Sequence, residues 1–257
     1  MNALKNLFLC ALCLLNVNVF AHSLPKQSEQ LIVVRTPSWN SVSGKCQAYK
    51  KSLRTGKWIP TTKIMDIVVG KNGLGWGRGL HSLEGREGPY KQEGDLKGPA
   101  GLFYFGTAFG KKPLSVLEEQ KPLRMPYVQI IPTLEAVDDP SSKYYNQIVD
   151  RSKIADVDWA SSEKMHAIDL YEIGLEILHN FPVQNKEAGS AIYVHLWRGI
   201  GRGTAGCLAM CLEDMESLFY WIDETKHPLL VQLPEEEFER LQTSWQLPDF
   251  IESALDA

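Results

Sequence analysis

A mainly β domain, sandwich-like and carrying one or two short helices, is the fold that this chain predicts. Three observations point there. Short β-branched and aromatic runs recur between residues 31 and 131, glycine-rich turn clusters separate them, and a clear helical period emerges only after residue 211. At 257 residues and 44% hydrophobic composition the chain can bury a substantial core, and a single all-β domain of this length is ordinary.

The first element is a leader. Residues 1–21 hold Lys5, an apolar stretch from Leu7 to Leu15 and the ending Val19-Phe20-Ala21, which is the pattern of a secretory signal peptide. As an uncleaved anchor it falls short, because Asn16 and Asn18 break an apolar run that would need roughly 20 residues to span a bilayer. The expectation is export to the periplasm or the medium, with no lasting membrane insertion after cleavage. Losing Lys5 from the 27 basic residues leaves 26 against 31 acidic ones, a net of −5, and this balance does not suggest a nucleic-acid partner. Cys10 and Cys13 leave with the leader, so Cys46, Cys207 and Cys211 remain. An odd count leaves at least one thiol unpaired, and both a Cys46–Cys211 pair and three free thiols are open.

The main domain is expected over residues 31–233. Leu31 to Val34 and Val42 to Tyr49 read as strands, Thr55-Gly56-Lys57 as the turn into Trp58-Ile59, and Ile64 to Val69 as a β-branched run ended by Gly70. The glycines of residues 70–101 read as β-turns, since no Walker lysine spacing or helix start accompanies them. Leu102 to Phe109 and Tyr127 to Ile131 are further β runs. Residues 132–164 form a polar stretch too long to be structureless inside a domain, so it is expected to lie across the sheet and shape a site.

Met165 to His179 is strand-like by the alternation around Tyr171 to Ile177, and its histidines, His166 and His179, read as structural or solvent-facing. Leu212 to Asp223 is the convincing helix: Leu212, Met215, Leu218, Phe219 and Ile222 recur at helical spacing, and Glu213 and Asp214 suit the first-turn dipole. Leu229 to Leu233 closes as a strand. Residues 234–257 are expected to be an acidic tail with a short exposed helix.

The chemistry concentrates in residues 190–211. An apolar run ends on His195, a Gly/Arg-rich loop follows, and Cys207 comes directly after Thr204-Ala205-Gly206. A thiol is little ionised at neutral pH, and a neighbouring imidazole can take its proton and hold the thiolate. Gly206 lets the backbone turn sharply, aiming the amides of Gly206 and Cys207 at one point as an oxyanion site. Structural burial is the ordinary fate of a Cys and a His, and zinc held by His195, Cys207 and Cys211 is a further alternative, although no C-x-x-C pair is present.

Three stretches resemble the L,D-transpeptidase (YkuD-like) family of bacterial cell-wall enzymes: Gly-Ser-Ala-Ile-Tyr-Val-His at 189–195, Thr-Ala-Gly-Cys at 204–207, and the Met-Glu-Ser-Leu segment at 215–218. The segment Glu93-Gly94-Asp95 to Phe103 is similar to the Gly-Asp-x-x-Thr-Pro-x-Gly-x-Phe signature of that family, with Lys97-Gly98 where Arg-Thr is usual; Ala205 and Ala209 stand where His and Arg or Asn are common. The resemblance implies Cys207 as nucleophile and His195 as base, with Thr204 and Gly206 at the family's hydroxyl and glycine positions, no cofactor and no metal. It implies peptidoglycan stem peptides as substrate, attacked at the third residue to form a thioester that an amine resolves into a cross-link. Water in place of the amine would make the enzyme an L,D-carboxypeptidase, and a wall-binding module without turnover is the rival of another class. Arg198 and Arg202 in the loop are candidates for a stem carboxylate, and Tyr193 and Thr204 for substrate contact. With no Asp or Glu between Leu196 and Gly206, the orienting partner of His195 is expected to be a backbone carbonyl.

Overall fold

The computed structural model describes residues 23–252, so the leader expected over residues 1–21 lies outside the described residues. In chain order the strands are β1 (Gln30–Thr36), β2 (Ser43–Lys51), β3 (Trp58–Pro60), β4 (Met65–Val68), β5 (Leu74–Trp76), β6 (Gly98–Gly110), β7 (Tyr127–Gln129), β8 (Leu134–Val137), β9 (Gln147–Asp150), β10 (Ser162–Lys164), β11 (Ile173–Ile177), β12 (Tyr193–Leu196), β13 (Leu208–Met210) and β14 (Leu229–Pro234). The helices are α1 (Leu114–Glu118), α2 (Leu212–Trp221) and α3 (Glu235–Trp245). The mainly β expectation holds. The sheet of this sandwich-like domain closes on itself: β1-β14-β6-β11-β12-β13-β4-β2 run side by side, and β2 pairs back onto β1.

Closure follows from how the buried strands are placed. β1 is apolar on both faces, and it runs parallel to β14 (Leu31↔Leu229) and antiparallel to β2 (Leu31↔Tyr49), so neither of its edges meets water. The 13-residue β6 joins β14 on one side to β11 on the other. Weakest in the ring is the β13–β4 seam, a single pair at Ala209↔Val68. Inside the ring, Leu31, Val33, Leu102, Val194, Leu208 and Val231 belong to one core. Gly101, at φ 139°, is required where β6 passes the ring of His81, because a Cβ there would lie 1.9 Å from an imidazole carbon.

The polar stretch after β7 folds into a second layer. β10-β8-β9 form a three-stranded sheet, followed by two 3-10 turns at Met165–Ala167 and Asp169–Tyr171. Its inner face encloses a smaller core, with Leu134, Ala136, Met165 and Tyr171 packed on Phe109, Tyr193 and Cys207 of the barrel's outer face. Only Ile173–Ile177 of the expected Met165–His179 strand is extended, since the preceding turns bring Tyr171 under the small sheet.

The C-terminal expectation is corrected. Glu235–Trp245 is an amphipathic helix whose Phe238, Leu241 and Trp245 are buried, and the Arg35 guanidinium binds the Glu235 carboxylate and packs over the Phe238 ring. Beyond it, the Tyr49 hydroxyl donates to Asp249 O (2.9 Å) and the Gln47 amide to Ile251 O (2.7 Å). The acidic side chains dominate the composition of this segment, while three apolar residues at helical spacing decide its position.

Candidate active site

His195 and Cys207 come from neighbouring parallel strands. The register pairs Val194 with Leu208 and His195 with Ala209, which sets Cys207 opposite Tyr193, one residue before β13. Side chains alternate along a strand, so Val194 and Leu208 enter the barrel core while Tyr193, His195 and Cys207 share the outer face beneath the small sheet. Strand spacing and rise put their Cα atoms about 8 Å apart. Tyr171 packs beside both, its ring edge-on to His195 at 5.2 Å between centroids, in the same small core as the thiol.

The imidazole is oriented by a backbone carbonyl. His195 Nδ1 lies 2.7 Å from Leu196 O; a carbonyl only accepts, so Nδ1 carries the proton and Nε2 is left with its lone pair. Burial pushes His195 down to about 4, against the Leu196 hydrogen bond and with help from the Arg198 charge. The thiol is held by the strand before it: Cys207 Sγ accepts from Tyr193 N–H (3.4 Å) and donates to Ala191 O (3.5 Å). Burial, and then the nearby Glu163 carboxylate, push Cys207 up to about 12, so the pair at rest is a neutral thiol and a neutral imidazole. No hydrogen bond joins the two side chains.

The loop before Cys207 is stapled by one hydroxyl. Thr204 Oγ1 donates to Cys207 O (2.6 Å) and accepts from Gly206 N–H (3.1 Å), while Thr204 N–H and C=O pair with Val69 O and Lys71 N–H at 2.9 Å each. Thr204 was expected to contact substrate, and the Gly206 amide to face an oxyanion; both are turned into the loop itself. Gly206 has φ 157°, a conformation that side-chain-bearing residues rarely adopt, and a Cβ there would meet Ile192 and Lys97 O at 3.1 Å.

The remaining expected contacts are dispersed. The Tyr193 ring is buried between Phe109 and Tyr171, at centroid distances of 5.1 and 5.7 Å, so it supports the second core. Arg198 and Arg202 are exposed, and neither guanidinium pairs with a described residue. Cys46, Cys207 and Cys211 are all free: Cys46 is wholly buried in β2, and Cys211 Sγ donates to Asp214 Oδ2 at 3.2 Å. Among the described residues no group of three or more His, Cys, Asp or Glu side chains is placed to hold a metal ion.

Residues that sequence reasoning passed over also build the site. Glu163, from the polar stretch, accepts the Tyr171 hydroxyl at 2.6 Å; burial pushes its carboxyl above the usual range. Glu93 Oε2 accepts both the Tyr145 and Ser190 hydroxyls, at 2.5 and 2.7 Å, and Asn146 bonds His179 O and Ala191 N–H, so the small sheet is tied to the strand leading to His195. Lys91, with 3% of its side chain exposed, pairs with Asp95 at 2.5 Å beside the Cys207 loop. The Tyr144-Tyr145-Asn146 cluster was the visible signal for the tie; nothing in Ser-Ser-Glu-Lys marked Glu163.

No helix among the described residues is long and apolar enough to cross a membrane. No family model and no curated protein matches the chain. Among solved structures it is similar to the crystal structure of the helical cell shape determining protein Pgp2 from Campylobacter jejuni, with 15% sequence identity over 82% of this chain and a TM-score of 0.37, and the chain spans about half, 52%, of that protein's length.

Proposed function

We propose that the protein is an exported cysteine acyltransferase acting on peptidoglycan stem peptides, with Cys207 as nucleophile and His195 as base. The observation that carries this reading is the tautomer of His195: the Leu196 carbonyl holds the proton on Nδ1, leaving Nε2 unprotonated on the strand face that also bears the thiol. The motif resemblance supplies the substrate class. In the reaction, His195 Nε2 takes the thiol proton and Sγ attacks the carbonyl of the third stem residue. The protonated imidazole then returns its proton to the departing amine of the terminal D-amino acid, leaving a thioester. An acceptor amine would convert it to a cross-link; water would give the carboxypeptidase outcome.

Chemistry requires the small sheet to move. Cys207 is 6% exposed and its thiol carries no stabilising cation at hydrogen-bond distance, so a substrate must displace cover and bring Nε2 to the sulfur. The same burial favours a second reading, a wall-binding module in which Cys207 is a packed core residue.

The two readings separate in one experiment. Reduced protein is incubated with a tetrapeptide stem, and intact mass and released D-amino acid are followed for the wild type and for Cys207→Ser. A stem adduct on Cys207 with D-amino acid release, both absent in Cys207→Ser, supports the acyltransferase. Stem binding with neither signal supports the binding module.

A further inference from the structure

A cavity opens on the barrel's outer face, between β6, β11 and the β9 edge of the small sheet. Its walls combine apolar side chains, Phe105, Val128, Ile148, Leu178 and Phe181, with the amides of Asn146, Gln147 and Gln184, and its lining contains two carboxylates, Glu176 and Glu224, but no lysine, arginine or histidine. Glu224 is exposed, whereas Glu176 is set into the wall on β11, directly across from Tyr193.

Glu176 lacks a counter-ion. Its Oε2 accepts the Thr107 backbone N–H at 3.1 Å, while Oε1 receives no hydrogen bond and no cationic side chain reaches the carboxylate among the described residues. Glu176 is half-buried with a single amide donor, its Oε1 open to the cavity, and burial pushes this carboxyl above its ordinary range. β6 makes room for it: a Cβ on Gly106 would lie 2.2 Å from Glu176 Oε2, so only a glycine lets the carboxylate lie against that strand. One carboxylate and one amide are too few oxygen ligands for a hard divalent cation. An ammonium on an apolar stem matches both parts, the charge meeting Oε1 and the methylenes lying along Val128, Ile148 and Phe181.

We propose that this cavity binds a primary ammonium carried on a short apolar stem, the amino group of a diamine or of a lysine-like side chain, with Glu176 as its counter-ion. The site is independent of any reaction at Cys207, and binding is measured without turnover.

The test is calorimetric titration of the intact chain with 1,5-diaminopentane and with Nα-acetyl-lysine amide, using Nα-acetyl-norleucine amide as the uncharged comparator. Saturable binding of both amines is expected, with the comparator at least about tenfold weaker. Glu176→Gln keeps an acceptor for Thr107 N–H while removing the charge, and is expected to weaken the amines by at least about tenfold at an unchanged unfolding midpoint. Gln147→Lys is exposed on β9 at the cavity and leaves the core untouched; it places a cation at the mouth and is expected to weaken the amines as well. Equal binding of the lysine and norleucine amides, unchanged affinity in folded Glu176→Gln, or no amine binding to the wild type would each overturn the proposal.

Discussion

The Tyr171 hydroxyl donates a 2.6 Å hydrogen bond to Glu163 Oε2, so a half-buried carboxylate is fixed within electrostatic reach of the Cys207 thiol. That carboxylate opposes ionisation of the thiol, because a second negative charge in a poorly solvated core has no water to screen it.

Glu163→Gln preserves an acceptor for Tyr171 and removes the charge. Alkylation of Cys207 by iodoacetamide at pH 8 is expected to accelerate by about threefold to tenfold, equivalent to a thiol shift of about half to one unit. Peptide mapping locates the label; an unchanged rate in a folded variant would show that Glu163 does not govern the thiol.

Thr204 tests the loop separately. Thr204→Val keeps the branched shape but deletes the bonds to Cys207 O and Gly206 N–H, and a loss of about 1–3 kcal/mol in urea unfolding is expected. Thr204→Ser retains the hydroxyl and should recover most of that loss. Equal destabilisation of both variants would show that the hydroxyl bonds alone do not hold the loop, since serine keeps them.

Acid stability follows from three buried histidines. Burial pushes His81 down to about 3 and His179 and His195 to about 4, each below the ordinary 6.5. Between pH 6.5 and 4 the unfolded chain therefore binds more protons than the native one, so these histidines make stability fall as pH falls, by up to about 1.4 kcal/mol per pH unit each. Glu163 and Glu176, whose carboxyls are raised, act in the opposite direction by protonating first in the native state. Urea midpoints measured from pH 7 to 4 should decline; Glu163→Gln should steepen the decline by removing one opposing group.

The C-terminal helix is part of the core, so Trp245→Ala should cost about 3–5 kcal/mol despite its place near the chain end. Trp245 is 1% exposed and lies against His81 and the Arg86 guanidinium. A surface tail would tolerate the change with a shift in thermal midpoint too small to measure.

Periodicity alone located most of the barrel. Leu31 to Val34, Leu102 to Phe109 and Leu229 to Leu233 fall within strands, Ile64 to Val69 brackets the shorter strand Met65–Val68, and Leu212 begins the expected helix, because each run buries a continuous apolar face whatever its neighbours are. The relative placement of His195 and Cys207 was also legible, since one short loop connects them and neither side chain needs a distant segment to bring it there. Even the carbonyl partner of His195 followed from the absence of a carboxylate in that loop.

Tertiary structure decided the rest. Ring closure depends on β2 returning to β1 and on the parallel β1–β14 pairing across nearly the whole chain, contacts that leave no local periodic mark. Nothing in the sequence marked Glu163 or Glu176, and they became half-buried only through the folding of the small sheet over β11 and β12. Whether a carboxylate is screened or left without a counter-ion is set by what covers it, and that cover comes from segments distant in the chain.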